Sequence, residues 1–299
     1  MSLNDFSNTN ALESNALFVL PEARSVMSPV SKTEPKRVPA QRLEITSIPK
    51  AMRSMGWTTS ARLMERWLST PAWTMPPVVK KPGFDERTLD TSHCDDTIVT
   101  MAWATRFERL QDAIASVQRT SFHTRNGLAL LNKRLDGWDK TTPYKLGYYG
   151  MPVRSLEAQC QVNATQFGSL LSTLDDMYGA LGDANLKIGV IGTAYRENGR
   201  RLFHADHVGL YILDQYDFNG WQYLGTWTKD KVLTRGEATF AETYTGRRIV
   251  DLRSGPFAKV FNEDFREYRN RTGRGGDFVV FSDVLWQRVD KVFDLEAEL

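Results

Sequence analysis

At Gly182 the spacing of apolar residues changes. Before it, Phe167, Leu170, Leu171, Leu174, Met177, Tyr178 and Leu181 fit one face of a helix opened by Thr165, and Gly182 is a natural stop. After it, LKIGVIGTAYR (Leu186–Arg196) alternates as a strand, and Asn198-Gly199 signals a hairpin turn into RRLFHADHVGLYIL. A chain that passes once from a helical period to a strand period predicts an α+β fold. The expected form is an N-terminal helical layer, then an antiparallel β-meander sheet with a late helix.

Other segments fill in this outline. Ser47 precedes Ile48-Pro49, a helix start. Ser60 is placed to cap a second helix carrying Leu63, Met64, Trp67 and Leu68 as a buried stripe. Trp103, Phe107, Leu110, Ile114 and Val117 predict one long helix, which Asp95 or Asp96 could cap. Leu128, Leu131 and Leu135 predict another, ended by Gly137, and a Tyr- and Gly-rich loop follows from Asp139 to Val153. Beyond the hairpin, a turn at Asp217–Gly220 leads into a third meander strand, WQYLGTWT, and TFAETYTGRRIVDL fits a further strand pair. NEDFREYRNRTG predicts the late helix, with Asn262 as N-cap and Gly273 as stop. GGDFVVFSDV is a strand, and the last stretch, from Leu285, fits a strand or a helix.

Residues 1–44, rich in Ser, Asn and Pro without sustained periodicity, read as a disordered leader. Residues 45–182 form the mainly helical part and 183–299 the mainly β part, expected to pack as one globular unit. A net charge of +2 on 299 residues gives no argument for extended nucleic-acid binding. No apolar run spans a bilayer, and ALFVL is too short for a signal-peptide core. The expectation is a chain cytoplasmic in its producing cell, with export lacking a cleaved signal left open. The two cysteines, Cys94 and Cys160, do not indicate a disulfide framework.

The densest chemistry lies in LFHADHVGLYILDQYDFNGWQYLGTW (Leu202–Trp227), which holds two of the four histidines. Alternation puts Val208, Leu210 and Ile212 towards the core, and His207 and Tyr211 towards solvent or a cleft. His207 is then a candidate general base, with Asp214 or Asp217 as orienter or acid. Asp, Asn and Gly at 217–220 also serve a tight turn. Arg269, Arg271 and Arg274, with Arg266 nearby, could receive a phosphate or carboxylate, although neighbouring acids suit a solvated helix face. His93, Cys94 and Asp95 lack any metal-ligand spacing, so no metal site is expected and a cofactor stays unknown. Trp57, Trp67, Trp73, Trp103 and Trp138 suit core packing, or else an aromatic groove for a partner.

Four stretches taken together resemble a known family: SIPKAMRSMGWTTSARLMERWLSTPA, DTIVTMAWATRFERL, HVGLYILDQYDFNGWQYLGTW and NEDFREYRNRTGRGGDFVVFSDV. It is an uncharacterised proteobacterial "domain of unknown function" family, often encoded near type VI secretion genes. The resemblance covers roughly residues 45 to 295. It implies an effector or accessory of contact-dependent competition and nothing about reaction type. The leading expectation is therefore a secretion-associated effector, an antibacterial toxin, with hydrolysis the broadest expectation if the chain is an enzyme. The alternative is a non-catalytic adaptor, chaperone or structural component. A secretion-system component or an immunity protein would then be the partner. The family carries no established catalytic residues onto this chain.

Overall fold

A computed structural model describes residues 44–120, 123–168, 173–238 and 257–296. All of them fall within one compact unit, residues 40–299. The expected leader, residues 1–44, lies outside the described residues except for Glu44, as does TFAETYTGRRIVDL.

Helices α1 (Ile48–Ser54) and α2 (Thr58–Ser69) open the fold. In α2 the predicted stripe of Leu63, Met64, Trp67 and Leu68 is buried. Ser60 does not cap it. The helix starts two residues earlier, and its first amides are satisfied from a distant helix, α7 (Asp176–Leu181). The Asp176 carboxylate accepts Thr59 N–H at 3.1 Å and Ser60 N–H at 2.9 Å. An acid there satisfies orphan donors and meets the positive end of the helix dipole.

A segment with three short 3-10 turns, Pro77–Lys80, Glu86–Thr88 and Thr91–His93, then leads to strand β1 (Cys94–Val99). Asp95 does not cap a helix. Its carboxylate accepts Thr97 N–H and Ile98 N–H inside β1, where the strand register shifts. The predicted long helix is two, α3 (Met101–Ala104) and α4 (Glu108–Thr120). Thr100 caps the first, and Trp103 and Phe107 meet edge-on across the break, so the apolar stripe survives it. Then come α5 (Arg125–Arg134), β2 (Tyr144–Leu146), α6 (Val153–Cys160) and β3 (Gln161–Phe167). The helix expected from Thr165 is corrected here. Residues Gln161–Phe167 are strand, Leu170 and Leu171 lie outside the described residues, and the described helix is Asp176–Leu181, with Asp175 accepting Tyr178 N–H as its cap.

Strands β4 (Ala184–Glu197) and β5 (Arg200–Tyr216) form the central hairpin. Its turn residues Asn198 and Gly199 both have positive φ, 49° and 81°, as a tight hairpin turn demands. The chain continues through β6 (Tyr223–Trp227), β7 (Ala258–Phe261), α8 (Asn262–Thr272), β8 (Phe278–Ser282) and β9 (Leu285–Asp294). Asn262 is the first helical residue of α8 rather than its cap, and Asp264 accepts Phe261 N–H at 2.8 Å.

The fold is α+β, but the sheet is mixed and not a plain antiparallel meander. Among the described residues it has seven strands, ordered β1-β8-β5-β4-β2, with β3 also on β4 and β9 also on β5. β1 and β8 run parallel. The expected third meander strand, β6, leaves this sheet and pairs with β7 in a two-stranded one. The long hairpin acts as a spine. Each of its outer edges is long enough to hold two short strands end to end, β3 and β2 along β4, and β9 and β8 along β5.

Both faces of the spine are covered. Tyr216 on one face reaches Met64 of α2, whereas Tyr211 on the other reaches Glu157 of α6. Tyr211 is therefore fully buried and does not face solvent. The helical and strand parts share one hydrophobic core.

Candidate functional site

His207 lies on β5, directly opposite Ile191 of β4 and Arg288 of β9. Opposed residues share a face, so His207 and Arg288 emerge on the same side as Gly209 and Tyr211. Trp286, opposite Gly209, is there too. The loop between β2 and α6 crosses this face. A Cβ on its Gly147 (φ 65°) would lie 2.7 Å from Ile191 and 2.8 Å from Cys160, so glycine lets the loop lie on the sheet. The next two residues are the most prominent aromatics of the region, Tyr148 at 56% exposure and Tyr149 at 65%. The Tyr149 ring stands 5.0 Å from His207 and 5.4 Å from Trp286. His207 Nδ1 is buried and has no hydrogen-bond partner among the described residues. The result is a surface of two tyrosines, a tryptophan, an arginine and an imidazole with one nitrogen unsatisfied.

The structure does not bring Asp214 or Asp217 to His207. Asp214 is seven residues further along β5, hence on the opposite face. Burial there lifts its carboxyl well above the usual range, with Asp217 and Asp183 adding repulsion. Asp217 accepts Asn219 N–H in the turn and pairs with Lys80 at 2.6 Å.

The arginines also diverge. Arg269 is buried, stacked over Trp67, hydrogen-bonded to Thr74 and Gly275 O, and paired with the fully buried Asp277. Arg271 lies over Tyr268 on the outside of α8. Arg274 donates to Ser69 O at the rim of a shallow depression that Lys50 and Arg53 also line. Arg266 donates to Phe218 O and Gly220 O, bracing the 217–220 turn.

The remaining histidines and cysteines are spread out. His204 lies 2.9 Å from Asp290 and 3.6 Å from Asp206. His93 stacks on Trp73, and His123 packs on Phe293. Burial pushes the Cys94 thiol up to about 11 and Cys160 to about 12. Among the described residues no three His, Cys, Asp or Glu side chains gather to hold a metal.

Of the tryptophans weighed as a groove, Trp57, Trp67, Trp103 and Trp138 are buried, and Trp73 is half-buried against His93. Trp67 donates to Asp277, Trp103 to Asp176 and Trp138 to Thr142 O, as buried indoles require.

A second cluster lies on the Tyr211 side of the sheet and was not legible from local sequence. Glu157 of α6 accepts the Tyr211 hydroxyl at 2.5 Å and pairs with Lys187 of β4 at 3.2 Å. Burial holds the Tyr211 hydroxyl well above its ordinary range, so it stays a donor. Glu86 looks into the same region. It is only 6% exposed, its Oε2 has no partner among the described residues, and burial raises its carboxyl to about 7. The available signal was strand alternation, which groups Tyr211 with His207. Nothing local shows that α6 covers that face.

No curated protein and no solved structure matches the chain. No described helix is long and apolar enough to cross a membrane. A family of unknown function, DUF6402, matches residues 43–297, nearly all of the sequence, and the chain belongs to it.

Proposed function

We propose that this chain is a protein-binding component, and that the surface around Tyr148, Tyr149, His207, Trp286 and Arg288 is where its partner docks. The observation that carries this is the exposure of two adjacent tyrosines, fixed by a glycine-seated loop over a half-buried Trp–His pair. Tyr, Trp and Arg are the residues in which interface energy concentrates. The resemblance to a family found near type VI secretion genes supplies the setting: an adaptor, chaperone or structural role with a secretion component or an immunity protein as partner. The test is co-purification from the producing bacterium. A stoichiometric partner should be lost with Tyr148→Ala/Tyr149→Ala at unchanged folding and retained with Asp214→Ala. Retention of the partner by the tyrosine variant rules this surface out.

One observation favours a second reading, an exported antibacterial effector with hydrolase chemistry at His207. It is the unsatisfied Nδ1 of His207 beside an accessible surface. Asp214 and Asp217 would have no direct part in it. Growth on induction in cytoplasm and in periplasm checks this. Killing by wild type that His207→Ala abolishes, at equal expression, supports the effector; no growth defect in either compartment removes its basis.

A further inference from the structure

Residues 75–93 cross the molecule between α2 and β1 and are fastened at several points. Met75 N–H donates to Asp277 at 3.0 Å, and Lys80 pairs with Asp217 at 2.6 Å. Arg154 of α6 donates to Glu86 O and, at 2.8 Å, to Leu89 O. Arg66 of α2 holds Ser92 O at 3.0 Å, and His93 stacks on Trp73. Val79 is buried in the core, and Phe84 and Leu89 pack against it. The Glu86 side chain is pressed inward from this segment, with Oε2 buried and without a partner among the described residues.

We propose that this segment is a pH-sensitive strap, held shut while Glu86 is protonated and loosened when Glu86 ionises. A neutral carboxyl can be buried with one oxygen unsatisfied at modest cost, whereas a carboxylate in the same place cannot. A hydrogen bond from its own backbone amide favours the charge but offsets only part of the cost of burial. Glu157 on α6 and Asp85 beside it repel a negative charge. Lys187 on β4 favours one, but it is already paired with Glu157. Arg154 is committed to the strap's carbonyls, Cys94 on β1 is a buried neutral thiol, and Tyr211 on β5 donates to Glu157. Loosening the strap would uncover the Glu157–Tyr211–Lys187 cluster and Cys94.

The sign follows from the two states. An unfolded or opened strap releases the Glu86 proton near 4.5, whereas the closed one keeps it to about 7. Closure is therefore fully favoured by this group below about 4.5, loses that advantage as pH rises to about 7, and changes no further above it. The expected span is on the order of a hundredfold in the opening equilibrium.

Amide hydrogen exchange of residues 84–92, compared at each pH between wild type and Glu86→Gln, cancels the intrinsic pH dependence of exchange. The ratio of wild-type to variant exchange should rise between about pH 5 and pH 7 and level off by about pH 8. A ratio flat across that range overturns the proposal. If Glu86→Gln does not fold, titration of the Glu86 carboxyl carbon by NMR in the wild-type chain decides instead: a midpoint near neutrality supports the strap, and one near 4.5 overturns it.

Discussion

Asp277 shows how single side chains organise this molecule. Fully buried, it accepts the Trp67 indole, the Met75 amide and the Arg269 guanidinium, and so joins α2, the strap and α8. Asp176 plays the matching part for α2, α3 and α7, taking two amides, the Ser60 hydroxyl and the Trp103 indole. Each buried tryptophan needs an acceptor, and each buried acid needs several donors, so the two residue types occur together. Arg269 therefore serves the core and is not free for an external anion. Asp277→Ala would strand a buried guanidinium and leave an indole unpaired. We expect it to lower unfolding free energy by about 3–5 kcal/mol, on the scale of broken buried ion pairs. Arg271→Ala, on the outside of α8, should fall within about 0.5 kcal/mol of wild type. Chemical denaturation of both variants checks this, and equal losses would contradict the assignment.

At the scale of elements, what could be read from sequence depended on whether an element carries its own signal. The stripe of α2, the Asn198-Gly199 hairpin and helix α8 all satisfy local rules, and all three form where expected. β1, β2 and β3 do not announce themselves. They are short, and they are strands because the β4–β5 spine and β8 present open edges to them. β3 is the instructive case: a helical spacing from Phe167 onward continued a cap-like Thr165 into an apolar series, while Val162 and Phe167 were needed against β4. Tertiary pairing overrode a plausible local period. The candidate site divides in the same way. His207 beside the Tyr- and Gly-rich loop combines two segments that the sequence singled out separately. That Asp214 cannot join it follows from period 2 alone, since seven residues along an unbroken strand reverse the face. Glu86 and Glu157 meet only through the packing of α6, which no local pattern encodes.

The described residues form a spine hairpin covered on both faces, with many of their polar groups absorbed into that cover. One sheet face is closed by α2, and the other is closed by α6 at its Tyr211 end. At the His207 end the cover thins to a loop, and aromatic side chains reach solvent. The proposed binding role requires that the rings at that opening meet another chain in the cell. The most direct measurement is site-specific photocrosslinking in the producing bacterium. A photoreactive phenylalanine would replace Tyr149 at the opening, and, as a control, Val78, which is also exposed but lies on the strap. A single discrete adduct from position 149 that position 78 does not give is the predicted result. The same adducts from both positions, or none from 149, would contradict the account.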